Sequence, residues 1–95
     1  MIISFADNET EKVFNQLFSK RIPIDIQRST LRKLMVLDNA SSIVDVRNPP
    51  SNKLEKLVGD LEGKWSIRIN DKWRICFVPS SDWKFYYDVG IIDYH

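Results

Sequence analysis

Apolar and polar residues alternate most cleanly between Trp65 and Phe77. Trp65, Ile67 and Ile69 interleave with Ser66 and Arg68; after the polar break Asn70-Asp71-Lys72, Trp73, Ile75 and Phe77 interleave with Arg74 and Cys76. A period of two belongs to half-buried strands, so the stretch predicts a β-hairpin. If all three break residues form the loop, with Asn70 or Asp71 left-handed, then Ile69 faces Trp73, Ile67 faces Ile75 and Trp65 faces Phe77. A two-residue loop would instead mix arginines with apolar residues, because a one-residue slip turns every side chain over. The three-residue loop also sets Arg68 beside Arg74 on the face opposite the apolar side chains.

The first half of the chain has helical spacing. Ile2-Ile3-Ser4-Phe5 predicts a short strand, after which Asn8 caps a helix and Glu11 completes a capping box. Val13, Phe14, Leu17 and Phe18 form one apolar stripe that carries this helix to about Phe18. Pro23 suits a helix start, and a second helix is expected from Pro23 or Ile24 to Leu37 with Leu31, Leu34 and Met35 inward. Residues 43–46 are too short and mixed to assign, and Asn48-Pro49-Pro50-Ser51-Asn52 predicts an extended loop. A brief strand over 53–57 and a polar turn through Gly59, Asp60 and Gly63 lead into the hairpin. Beyond the turn Pro79-Ser80-Ser81-Asp82 comes a third long strand from Phe85, in which Gly90 marks a bulge or a close backbone approach. The sum is an α+β domain: two N-terminal helices pack on one face of a small, mostly antiparallel sheet, and the other face stays open and carries Arg68 and Arg74.

Composition narrows the class. With 95 residues, 43% of them hydrophobic and 12% aromatic, residues 1–95 make one domain with a core that needs no staple. The single Cys76 makes no internal disulfide, no run of about 18 apolar residues offers a membrane span, and no basic-then-apolar segment opens the chain, so a cytoplasmic protein is expected. A net charge of +1 is not that of a strongly basic nucleic-acid binder, and any basic site must be local. Residues 20–33 hold five basic side chains, Lys20, Arg21, Arg28, Arg32 and Lys33, against the single acid Asp25. Such a run either tracks a nucleic-acid backbone or is the solvated face of a surface helix. Arg68 and Arg74 likewise form either a phosphate site or two solvated surface side chains.

Candidate chemistry is sparse. There is no Gly-rich phosphate loop, no Cys/His cluster and no hydrolase-type nucleophile, so neither metal nor nucleotide cofactor is expected. What remains is the terminal Asp93-Tyr94-His95, with the chain's one histidine, the side chain that titrates near neutrality unaided. Chain ends fray by default, but the apolar pair Ile91-Ile92 just before argues that this one is held in the sheet.

Three segments then carry a resemblance: Lys53-Leu54-Glu55-Lys56-Leu57-Val58-Gly59-Asp60, the hairpin with its Ser66-Ile67-Arg68 and Trp73-Arg74 elements, and Asp93-Tyr94-His95. In this order and spacing the chain resembles, over essentially its whole length, the HigB branch of the RelE toxin superfamily. The resemblance implies a ribonuclease that cleaves messenger RNA on translating ribosomes without metal, and a HigA-type helix-turn-helix antitoxin as partner. Carried over by position, Arg74 stabilises the scissile phosphate and Asp93, Tyr94 and His95 complete the catalytic set. Glu55 stands where some members carry histidine, a carboxylate in place of an imidazole. Arg68, Lys56, Arg28 and Arg32 are the expected RNA-contacting side chains. The competing reading is a non-catalytic module that grips RNA or an acidic protein with the same basic face.

Overall fold

A computed structural model of the chain describes residues 1–93. Three helices precede a four-stranded antiparallel meander: α1 (Asn8–Phe14), α2 (Ile24–Asn39), α3 (Ile43–Arg47), β1 (Glu55–Lys56), β2 (Trp65–Arg68), β3 (Trp73–Pro79) and β4 (Tyr86–Asp93), with sheet order β1-β2-β3-β4. Val13, Ile26, Leu34 and Leu37 from the helices meet Ile67, Ile75, Phe77, Val89 and Ile91 from the sheet in one buried core. Among the described residues no helix is long and apolar enough to cross a membrane.

The hairpin has the expected register: Trp65 pairs with Phe77, Ile67 with Ile75 and Arg68 with Arg74, and the Ile69 amide donates to the Trp73 carbonyl at 2.9 Å. Its loop is made differently from the expectation. Neither Asn70 nor Asp71 is left-handed. The Asn70 side chain instead accepts from the Lys72 and Trp73 amides at 2.9 and 2.8 Å, an Asx turn that reverses the chain by itself.

Helix α1 departs furthest from the sequence pattern. Its cap is Asp7, whose Oδ1 accepts from the Thr10 amide at 2.7 Å and the Thr10 hydroxyl at 2.9 Å, so the cap falls one residue before Asn8. The helix ends at Phe14 rather than near Phe18. Gln16 turns left-handed (φ 62°), and the Gln16 and Leu17 amides donate back to the Val13 and Lys12 carbonyls at 3.0 and 2.8 Å. These two bonds form a Schellman motif, which satisfies the terminal carbonyls and stops the helix. Leu17 and Phe18, expected in the core, are therefore turned out to solvent. In α2 Leu34 is fully buried and Leu31 packs on the core, but Met35 is exposed; Leu37, Ile26 and Thr30 complete the inner face.

Residues 43–47 form the short helix α3, capped by the Ser42 hydroxyl. The proline segment, expected to be extended, folds into a 3-10 turn over Pro50–Asn52 after a cis Asn48–Pro49 bond. At the other end of the chain Ile2 and Phe5 bridge in parallel to Tyr86 and Val89 on β4. Beside Gly90 lies a bulge, in which Asp88 and Val89 oppose Phe77 alone and Asp88 is left-handed (φ 51°). A Cβ on Gly90 would sit 3.0 Å from the Ala6 Cβ. Both features that the glycine marked are thus present.

Candidate active site

The pleat sorts the expected residues. Glu55 pairs with Ser66 and Ser66 with Cys76, while Arg68 pairs with Arg74, so these five share the sheet face opposite the helices. Arg74 is not a solvated arginine there: only 7% of it is exposed. Its Nε donates to Ser66 Oγ at 2.8 Å and one Nη donates to the Lys53 carbonyl at 2.7 Å, while the Glu55 carboxylate lies 3.6 Å away. A buried cation is tolerated only when hydrogen-bonded and paired, and these contacts supply both. Glu55, at the sheet edge, is half exposed.

The turn before β1 is built to present the Lys53 carbonyl. Lys53 itself is left-handed (φ 44°), and the fully buried Asn52 fixes the turn by donating at 3.0 Å to the Val46 and Asn48 carbonyls. The Asn52 Oδ1 in turn accepts from Lys33 Nζ on α2. Burial lowers the pKa of Lys33, and Arg32 and Arg68 nearby push it the same way. Arg32 and Lys33 on α2 border, with Val36 and Ile69, a shallow depression, and Arg68 is near enough to add to the positive field at Lys33. Arg68 also pairs with Asp71 in the hairpin loop. Cys76, buried beside this site, has its thiol pKa pushed up by burial, with Lys64 and Arg74 opposing.

The other expected positions lie apart. Asp93 is paired with Trp73, which puts it on the opposite side of the pleat from Arg74, and its carboxylate is 3.6 Å from Lys72 Nζ. Lys56 pairs with Trp65 and is exposed at the sheet edge. Arg28 borders a groove between α1 and α2. Tyr94 and His95 lie outside the described residues. Sequence reasoning missed Ser66, Asn52 and the Lys53 carbonyl. Ser66 had a signal: a small hydroxyl residue on the arginine face, one register row from Arg74. The carbonyl had none, since its direction follows from a left-handed residue that is not glycine. Among the described residues no group of three or more His, Cys, Asp or Glu is placed to hold a metal ion.

Comparison with known proteins puts this arrangement in context. A family model for HigB-like toxins, described as the RelE-like toxin of the type II toxin-antitoxin system HigB, matches residues 3–95. Toxin HigB-1 of Vibrio cholerae is 38% identical over 78 residues, covering 81% of this chain and 82% of that protein. Endoribonuclease HigB of Proteus vulgaris is 36% identical over 78 residues, covering 81% and 83%. Among solved structures, a YoeB/ParE toxin from Agrobacterium tumefaciens aligns with a TM-score of 0.55 over 99% of this chain and 96% of that one; at 22% identity this likeness concerns the fold. With matches across both the helical half and the meander, the chain belongs to the HigB-like family of RelE-like toxins, the toxin component of type II toxin-antitoxin systems.

Proposed function

We propose that the protein is a ribosome-dependent endoribonuclease that cleaves translated messenger RNA and is restrained by a HigA-type helix-turn-helix antitoxin. The observation that carries this reading is the guanidinium of Arg74, fixed on a central strand by Ser66 and the Lys53 carbonyl with a carboxylate 3.6 Å away. In the reaction the ribose 2′-oxygen bonds to the adjacent phosphorus as the bond to the 5′-oxygen breaks. The 2′-hydroxyl proton passes to an acceptor and the departing 5′-oxygen takes one from a donor. Negative charge grows on the non-bridging oxygens, and a guanidinium held in advance stabilises it without reorganising.

Glu55 is the proton acceptor in this scheme. Its half-exposed carboxylate can reach substrate, and Arg74 offsets the repulsion between that carboxylate and the phosphate. Tyr94 and His95 are proposed as stacking and proton-donating groups on the family resemblance. Asp93, on the opposite side of the pleat from Arg74, is proposed to act indirectly and not to touch the phosphate. Arg68, Arg32 and Lys56 are proposed to hold flanking phosphates. The test is purified protein on one message with and without translating ribosomes, with the new 5′ ends mapped. Cleavage confined to translated message is expected. Intact message despite ribosome binding would favour the non-catalytic module, and equal cleavage of free RNA would overturn ribosome dependence.

A further inference from the structure

We propose that the groove between α1 and α2 is where the antitoxin docks, and that it takes an acidic, amphipathic segment of that partner. The groove, about 310 Å³, is lined by Val13, Leu17, Phe18, Arg28 and Leu31 with two glutamines, and no strand residue borders it. Leu17 and Phe18 are 58% and 61% exposed because the Schellman turn at Gln16 ends α1 early and points them outward. Ile24, 74% exposed, and Met35, 49% exposed, extend the apolar surface along α2. Ile24, Arg28, Leu31 and Met35 follow helical spacing, so they form one stripe of about three turns, roughly 16 Å long. Single exposed apolar residues are ordinary; a contiguous set beside a groove is the form of a surface that receives a partner helix.

Charge and chemistry select the occupant. Arg21 is paired with Asp7 at 3.0 Å and Lys12 with Glu9 at 3.1 Å. Among the described residues no ion pair engages Arg28, the one charged side chain lining the groove, so the charge offered there is positive and suits a carboxylate. The apolar lining, Val13, Leu17 and Leu31 with Phe18, offers mainly aliphatic packing. A nucleic acid seeks phosphate contacts with aromatic stacking, and Phe18 is the single aromatic ring here. An acidic amphipathic protein segment fits both the lining and its charge, and the family supplies the protein, since a type II toxin is paired with an antitoxin. The inference rests on that pairing and not on the catalytic roles proposed above.

The test is titration of the full-length toxin with the antitoxin encoded with it, using Leu17→Ser/Phe18→Ser and, separately, Arg28→Glu. Because both replaced apolar side chains are exposed, the double variant should keep the wild-type circular dichroism spectrum and still arrest growth. Its affinity for the antitoxin should fall about a hundredfold or more, and coexpressed antitoxin should no longer relieve the arrest. Arg28→Glu should weaken binding and flatten its salt dependence. Unchanged antitoxin affinity in the double variant would overturn the proposal. So would ribosome binding lost, or a wild-type dimer dissociated, while antitoxin affinity stayed the same, since the groove would then serve RNA or a second copy. A wild-type chain that fails to bind this antitoxin would remove the pairing itself, an outcome distinct from failure of the groove.

Discussion

Ser66→Ala probes how the site holds its charge. Ser66 is fully buried and its Oγ accepts from Arg74 Nε at 2.8 Å. Losing a buried hydrogen bond to a charged donor costs about 1.5–3 kcal/mol. In a domain of this size each kcal/mol moves Tm by roughly 4–8 °C, so a drop of about 6–24 °C is expected from a fold that still holds at 25 °C. The Lys53 carbonyl keeps its own bond to the guanidinium at 2.7 Å, so the variant loosens the charge without removing it. Cleavage should fall about tenfold, whereas Arg74→Ala, which removes the charge, should cost about a hundredfold or more. Arg74→Ala is also destabilising, because it strands the Ser66 hydroxyl and the Lys53 carbonyl in a buried setting. Phe77→Ala, emptying a fully buried ring site, costs about 3–5 kcal/mol and gives the scale for core damage. The assay is ribosome-dependent cleavage well below the lowest Tm of the set, on wild type, both single variants and the double. If Ser66 acts through Arg74, Ser66→Ala changes nothing once Arg74 is alanine, and Ser66→Thr recovers most of the rate. An equal tenfold loss in both backgrounds would refute the coupling, and a Ser66→Ala protein with wild-type Tm and rate would refute the role of the bond.

Gly90→Ala should cost about 1–3 kcal/mol in chemical denaturation, because the new Cβ meets Ala6 Cβ at 3.0 Å and pushes the N-terminal segment off β4; Ala6→Gly in the same chain should recover part of it, and wild-type stability in the single variant would disprove the tight contact. Tyr86, whose hydroxyl donates to the Trp83 carbonyl, has its pKa pushed up to about 12 by burial, with Asp45 and Asp82 adding repulsion. A folded pKa above the ordinary value of about 10 gives stability that is full below that value and is lost as pH rises toward 12. Melts across this range should show the loss in wild type and less of it in Tyr86→Phe, and the same alkaline loss in both would refute the assignment.

What the sequence made legible was set by local pattern. The hairpin register followed from six apolar residues in strict alternation around a polar break too wide for a two-residue turn. Pairing of Asp93 with Trp73 was foreshadowed by Ile91 and Ile92. The early end of α1 was not legible, because a left-handed C′ residue is normally signalled by glycine and here it is Gln16. Asp7 and Asn8 are equal as caps by residue type, so only the fold decides between them. Five residues of α3 span too little for a helical period to show. Alternation placed Arg74 on the correct face but not its burial, which depends on the turn over Pro50–Asn52 bringing the Lys53 carbonyl across it. Tyr94 and His95 lie outside the described residues, so their expected roles rest on the resemblance.

In the reaction proposed above, the site would divide its work between a fixed charge and an adjustable one, and the sheet explains why each is where it is. Arg74 lies on β3, which pairs on both sides with β2 and β4, so its backbone has little freedom and its side chain is pinned at two donors. The cost of desolvating and ordering that guanidinium is met during folding, before any substrate arrives, which is what would make it effective as charge develops in the proposed cleavage. Glu55 lies on β1, a two-residue strand at the edge of the sheet, and half its side chain is in solvent. An edge position leaves it free to move a few tenths of an ångström, as the proton acceptor proposed above would have to, while staying within the field of Arg74. Exchanging the two positions would defeat both roles: an exposed arginine on a short edge strand would be screened and mobile, and a carboxylate buried on β3 would hold its proton instead of taking one.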